Sequence, residues 1–237
     1  STSKNLGVPQ CVQELTHTFK YNDIDSLKLI LSKYPGEFAA VILEPMGSEY
    51  PKNDFLQKVK ELTHDAGGIL IFDETVTGFR VSFGGAQELF KVTPDLATFG
   101  KGIANGYPLS ALVGKNIYME SIKDIFFSGT FGGETLSLAA AKAVLIKLKK
   151  DKVIKYWTEL GIYLHKELDK LINDLDISFF LSFSGHPSWS FLIFKDTQNA
   201  NLWELKTLFM QEMFKCGIFT LGAQTLSYAH KKSDIDY

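Results

Sequence analysis

Two apolar runs in this 237-residue chain each end in a single ionisable side chain. Ile69-Leu70-Ile71-Phe72 delivers Asp73, and Leu96-Ala97-Thr98-Phe99-Gly100 delivers Lys101. A carboxylate in a low-dielectric site can keep a ring nitrogen protonated through a charge-assisted bond. A primary amine can form a Schiff base with an aldehyde. Together they describe the protein anchors of pyridoxal phosphate (PLP), a cofactor that acts as an electron sink. Each residue also has a plainer reading. A strand-end Asp commonly caps a helix, and any one of 25 Lys+Arg residues is ordinarily solvated. Gly100 and Gly102 weigh against the plainer reading of Lys101, because flanking glycines let backbone and ligand approach closely.

The elements that must hold this pair are legible from patterning. Apolar runs of four or five residues bounded by Gly or Pro read as strands buried on both faces. In such sheets ligands sit at the carboxyl ends of the strands. Asp73 and Lys101, 28 residues apart, should therefore emerge on one rim. A strand over 38–43 delivers Glu44 to the same rim, just before Pro45. Asn53 or Asp54 caps a helix with Phe55, Leu56, Val59 and Leu62 on one face, and Gly67-Gly68 stops it. Strand, helix and strand at this spacing make a βαβ unit.

Residues 1–20 read as a polar connector with an extended piece near 12–19, followed by a helix to about Lys33. Downstream lie a Gly-rich loop over 75–87 and a further strand over 109–114, with an antiparallel course open to it. A helix over 134–150 follows, with Leu136, Ala139, Ala140, Ala143, Val144 and Leu148 as its apolar stripe. Charge concentrates at Lys149-Lys150-Asp151-Lys152, which divides a large domain (1–150) from a C-terminal small domain (151–237). The small domain reads as a helix over 153–173 with Leu171 inward, an irregular 179–187, a strand over 189–194, a helix over 202–216 and a strand over 218–221. The expected fold class is α/β: a mostly parallel sheet with helices on both faces, plus a partial α+β small domain.

Four motifs in this order resemble the class III PLP-dependent aminotransferases. They are Ile-Phe-Asp-Glu-x-x-Thr-Gly-Phe-Arg (71–80), Gly-Gly-Ala-Gln-Glu (84–88), Val-Thr-Pro-Asp-Leu-Ala-Thr-Phe-Gly-Lys (92–101) and Ser-Gly-Thr-Phe-Gly-Gly (128–133). The similarity runs over about 38–150 and is closest to the glutamate-1-semialdehyde 2,1-aminomutase branch. It implies a fold type I PLP-dependent transferase with Lys101 as the Schiff-base lysine and Asp73 as the partner of the pyridinium nitrogen. It implies Thr75 packed on the ring, and Gly129 and Thr130 as phosphate contacts for the neighbouring subunit's cofactor, hence a homodimer with shared active sites. Val76 departs from the many members that carry Gln there. Members of the family also carry a long upstream region with part of the cofactor site, so this sequence is expected to be a fragment lacking it.

Glu134 and Thr135 stand where aminomutases tend to have Asn and Pro. The resemblance therefore implies an aminotransferase working by ping-pong half-reactions between a small-molecule amino donor and a carbonyl acceptor of unknown identity. The alternative is the aminomutase itself, an intramolecular amine exchange in tetrapyrrole precursor synthesis. An alternative of another class is a non-catalytic homologue acting only by association. Glu44 is a candidate to approach the substrate or position Lys101, against the plainer reading of a strand-end carboxylate bonded to backbone. Arg80 reads as half of a structural ion pair.

Composition bounds these readings. The net charge of −2 with no basic stripe disfavours nucleic acid as a partner. No apolar run reaches the roughly 18–20 residues that span a membrane. The polar opening shows no signal peptide, and Cys11 and Cys216 lack metal or disulfide spacing, so a cytoplasmic setting is the default. No metal is expected, since HExxH and CxxC patterns are missing. Gly100-Lys101-Gly102 lacks the following Ser or Thr of a P-loop.

Overall fold

The computed structural model describes residues 5–237. After a short helix α1 (Gln10–Glu14), α2 (Ile24–Lys33) begins at Asp23, whose side chain accepts from the Ser26 N–H at 3.1 Å. The stretch expected to be extended thus includes a helical turn, stitched by a Gln10–Glu14 side-chain bond of 2.7 Å. Strands β1 (Ala40–Leu43), β2 (Ile69–Asp73), β3 (Leu96–Phe99) and β4 (Ala111–Gly114) form one sheet in that order. The first three are parallel and β4 is antiparallel to β3.

The crossover from β1 to β2 runs through α3 (Phe55–Asp65). Its buried Phe55, Leu56 and Val59 pack with Val41, Leu70 and Phe72 of the strands and Leu27 of α2. Apolar side chains on one helical face and on alternate strand positions thereby close one core. Asp54 precedes α3 at φ 58° but its side chain makes no capping bond, unlike the expected role. The chain continues through α4 (Ala86–Phe90) before β3, and through α5 (Asn116–Met119) after β4.

The long helix α6 (Thr135–Lys150) is capped by Glu134, which accepts from the N–H groups of Leu136 and Ser137 at 2.9 and 2.6 Å. Of the expected stripe Leu148 is buried and Val144 packs against the same cluster, while Leu136 is 68% exposed; Ser137 and Ala141 complete the inward face. The reason is close approach by small residues: Ala141 packs on Ile103 and Ala104, just after Lys101.

The second sheet, β5 (Leu181–His186), β6 (Trp189–Phe194) and β7 (Ala223–Thr225), is antiparallel throughout. Residues 181–186, expected to be irregular, form a strand because His186 pairs with Trp189 across the two-residue turn Pro187-Ser188. The last strand lies at 223–225 rather than 218–221: Gly222, at φ 84°, accepts from the Leu192 N–H at 2.8 Å and turns the chain onto β6. Helix α7 (Val153–Asp174) meets this hairpin at Gly161, where a Cβ would stand 1.9 Å from the Pro187 carbonyl oxygen. Ile172 rather than Leu171 faces inward. Helix α8 (Leu202–Lys215) carries a full capping box, Asn201 with Glu204, and α9 (Lys232–Asp236) closes the chain.

Asp95 organises the end of the sheet away from the rim. It is 1% exposed. One carboxylate oxygen accepts from the Leu70 N–H at 2.7 Å and faces His64 Nε2 at 2.8 Å, while Lys115 Nζ lies 2.6 Å from the other. Burial pushes the carboxyl up, but Lys115, the Leu70 N–H and His64 outweigh it and bring it down to about 2. A depressed pKa contributes stability above the unfolded value and loses it as pH falls through the folded value. Unfolding free energy should therefore drop by about 2 kcal/mol between about pH 4 and pH 2 on account of this group. Urea titrations across that window should show the drop, and Asp95→Asn should lower stability by roughly 1–3 kcal/mol at neutral pH and flatten the acid limb.

Candidate active site

Parallel register sets the site. Leu43 lies beside Phe72, and Asp73 lies beside Thr98. Glu44, the next residue after β1, therefore joins Asp73 and Thr98 in a row across three strand ends. Lys101 follows Thr98 by three residues, as the first residue of a 3₁₀ turn, Lys101–Ile103. The four side chains come from one rim, where the apolar runs lead one to expect Glu44, Asp73 and Lys101.

The Asp73 carboxylate takes two hydrogen bonds on Oδ1: the Thr75 N–H donates at 2.9 Å and the Thr98 hydroxyl at 3.1 Å. Burial pushes its pKa up, but the bonds from Thr75 and Thr98 and the Lys101 charge outweigh burial and hold it below the ordinary value. Asp73 thus stays ionised with its hydrogen bonds already in place. Glu44 moves the other way. Burial and then the Asp73 charge raise its pKa, and Lys101 partly offsets them. Glu44 and Asp73 each feel Lys101, and Glu44 also feels Asp73, so the three charges share one electrostatic neighbourhood.

Thr75 connects the two strand ends. A Cβ added at Gly100 would stand 3.3 Å from Thr75 Cγ2, so the methyl of Thr75 packs against the backbone just before Lys101. Lys101 itself is exposed and adopts φ 43°, in the left-handed region that an L residue enters only at a cost. Among the described residues no carboxylate lies within ion-pair distance of its amine. Gly129 and Thr130 are exposed on the loop before α6 and, among the described residues, hydrogen-bond to none of Glu44, Asp73, Thr75 or Lys101.

Three residues have roles that patterning did not predict. Thr98 was visible only as a hydroxyl in an apolar run; its register opposite Asp73 makes it a donor. Glu74, adjacent to Asp73, points the other way and is fully buried. It accepts from the Thr77 hydroxyl and from the N–H groups of Ala86 and Gln87, both at 2.8 Å, so it caps α4 and folds the 75–87 loop back under the rim. Among the described residues Arg80 makes no ion pair, against expectation. Its guanidinium donates to the carbonyl oxygens of Leu226 and Ser188 and lies 4.3 Å from the Trp157 ring. The Trp157 indole N–H donates back to the Arg80 carbonyl at 3.1 Å. Burial lowers the pKa of this arginine. His186, on the neighbouring hairpin, accepts from the Ser188 N–H at 3.2 Å; burial, then the charges of His165 and Arg80, bring it down to about 4. It is neutral and structural.

A cleft of about 910 Å³ opens beside the rim. Val76, Arg80, Lys101, Gly102, Trp157 and Trp189 are among its lining residues, and of the rim only Lys101 reaches it. It lies between the parallel sheet's loops, the α6–α7 corner and the end of β7.

Comparison with known proteins gives the rim a context. A family profile described as aminotransferase class-III matches residues 5–178. The chain is 34% identical over 240 residues to the 3-aminobutyryl-CoA aminotransferase of Cloacimonas acidaminovorans (strain Evry), an alignment covering 98% of this chain and 58% of that protein. It is 35% identical over 247 residues to glutamate-1-semialdehyde 2,1-aminomutase 2 of Staphylococcus haemolyticus (strain JCSC1435), covering 97% and 57%. The chain thus spans somewhat over half the length of these relatives. Among solved structures, a transaminase with PLP bound superposes with a TM-score of 0.89 at 20% identity, over 98% of this chain and 57% of that one, which is a likeness of fold.

The charge arrangement makes a signed prediction about Glu44. Removing the Asp73 charge with Asp73→Asn should lower the Glu44 midpoint, and removing the Lys101 charge with Lys101→Met should raise it. Carboxyl-carbon NMR titration of Glu44 in the three proteins reads both shifts. Two substitutions that leave the midpoint in place would show that the groups do not share a rim.

Proposed function

The chain belongs to the class-III aminotransferases, and on that premise we propose that the protein transfers an amino group with PLP as cofactor. The observation that carries the reading is the rim itself: an ionised carboxylate anchored by Thr75 and Thr98, and an amine free of any acidic partner among the described residues, on adjacent strand ends. This donor set fits the cofactor. A carboxylate held below its ordinary pKa is suited to a protonated ring nitrogen, and a lysine without a counter-ion is suited to an aldehyde carbon. Asp73 would hold the ring nitrogen, Thr75 would pack on the ring, and Lys101 would provide the covalent anchor. When bound, PLP supplies an electron sink for the carbon that carries the transferred amine.

The chain's own residues do the rest. Asp73 would keep a proton on the ring nitrogen. Lys101 Nζ is the base that takes the proton from the amine-bearing carbon of the substrate and returns it. Glu44, with its raised pKa, would hold a proton near Lys101 or meet the substrate's polar group. Over the two half-reactions the donor gives up its amino group and its carbon-bound hydrogen with the electron pair of that bond, and takes an oxygen from water; the acceptor gains the amino group, the hydrogen and the electron pair and releases its carbonyl oxygen as water. The donor and acceptor are small molecules.

The same reading makes residues 1–150 a large domain and 151–237 a small one, with the cleft between them. It also makes the protein a homodimer in which Gly129 and Thr130 contact the phosphate of the neighbouring subunit's cofactor. Support comes from the apolar surface around that loop: Phe126, Phe127 and Phe131 are 97%, 78% and 55% exposed. Soluble domains rarely leave such clusters uncovered. The two exposed free cysteines, Cys11 and Cys216, suit a reducing, cytoplasmic setting. A second reading, exchange of amine and aldehyde on adjacent carbons of one substrate, has support in the 35% identity to the Staphylococcus haemolyticus aminomutase.

Purified protein mixed with PLP should develop a visible absorbance band that Lys101→Ala abolishes. Amino transfer should fall by about 10³-fold or more in that variant, and by about 10²-fold or more in Asp73→Ala. A spectrum that is the same with and without the Lys101 amine would overturn the reading.

A further inference from the structure

Thr98 holds the end of the neighbouring strand twice. Its main-chain carbonyl accepts from the Glu74 N–H at 2.9 Å, a ladder bond, and its hydroxyl donates to Asp73 Oδ1 at 3.1 Å. The Thr75 N–H also donates to Oδ1, at 2.9 Å. These two bonds constrain the carboxylate differently. Thr75 lies two residues beyond Asp73 on the same loop, so its bond is local and moves with that chain. Thr98 belongs to β3, which leads through Phe99 and Gly100 to Lys101. Its hydroxyl therefore ties the Asp73 side chain to the segment that carries the amine.

A cofactor held at two points tolerates little error in the span between them, and a displacement of about 1 Å can cost about 10²-fold in rate. The ladder bond sets the height of Asp73 against β3 but leaves its carboxyl group free to rotate. The Thr98 hydroxyl removes that freedom. Both side-chain bonds fall on Oδ1, which leaves Oδ2 for the ring nitrogen. Donation to the carboxylate also favours its ionised form. We propose, on the strength of the amino-transfer reading above, that Thr98 is a positioning residue: its hydroxyl orients the Asp73 carboxylate for the ring nitrogen and fixes it relative to Lys101.

Thr98 is half-buried, and Thr98→Val keeps its branched shape and its ladder bond while removing the donor. Carboxyl-carbon NMR titration of Asp73 in the protein without PLP should show a higher midpoint in Thr98→Val than in the parent, because a bond to the charged form is lost. Thr98→Ser keeps a hydroxyl and should bring the midpoint back. In the PLP-loaded protein, single-turnover reactions with alanine, glutamate and a phenylalkyl amine are read from the decay of the Lys101-dependent visible band. The decay should slow about tenfold or more in Thr98→Val and recover in Thr98→Ser, with the band itself present in both. Thr98→Ala removes the same donor and answers in place of Thr98→Val should that variant fail to fold. An Asp73 midpoint that is equal in parent and variants, or a rate loss that Thr98→Ser does not recover, would overturn the inference while the band stands. A parent protein with no such band, or with one indifferent to all three amines, would instead remove the amino-transfer reading and this role of Thr98 with it.

Discussion

The Thr98 hydroxyl's bond to Asp73 spans β2 and β3 at their carboxyl ends. Both residues stand at fixed heights in a parallel ladder, so the distance between them is set by strand spacing and not by loop conformation. Glu44 is fixed in the same way from β1. A slip of one residue in either pairing would turn Asp73 or Thr98 to the opposite face of the sheet. The core of Val41, Leu70, Phe72, Phe55, Leu56 and Val59 resists such a slip, because the same slip would carry its side chains into water. Packing free energy on one part of each strand thus guarantees charge geometry at its end.

The adjacent pair Asp73 and Glu74 divides two tasks that a single carboxylate could not perform. Asp73 remains half-buried and ionised at the rim, while Glu74 is sealed among three donors and ties the following loop to α4. That loop leads directly to Arg80, whose bonds to Ser188 and Leu226 reach the second sheet. The rim, the loop and the hairpin are therefore joined through backbone carbonyls and one cation–aromatic stack. No exposed ion pair is needed, and the joint should be insensitive to salt.

Much of this was legible before any coordinates. The strands, the βαβ unit and the delivery of Glu44, Asp73 and Lys101 to one rim follow from short apolar runs that end in a charge; the expected burial of both faces does not hold, since Ile42 is 60% exposed and β4 is mostly exposed. What escaped was decided by tertiary contact. In the first half of α6 the inward position is the small residue Ala141 rather than Leu136 or Leu138, since close approach to Ile103 outweighed side-chain area, while Leu148 faces inward as patterned. The strand over 181–186 carries no hairpin signal, because its turn is Pro187-Ser188 rather than a pair containing Asn or Gly. Arg80 was readable as structural, but its partners lie 108 and 146 residues away and are main-chain oxygens, which no spacing rule can identify. Thr98 looked like one more β-branched strand residue until the register placed it across from Asp73.

Lys101 sits at φ 43°, a backbone conformation that glycine adopts at no steric cost. The amine on which the reaction hangs is thus carried by a residue that the local fold would rather see replaced. A screen that rewards only resistance to heat should discard this side chain early, and thermal hardiness and chemical competence at this position pull the sequence in opposite directions.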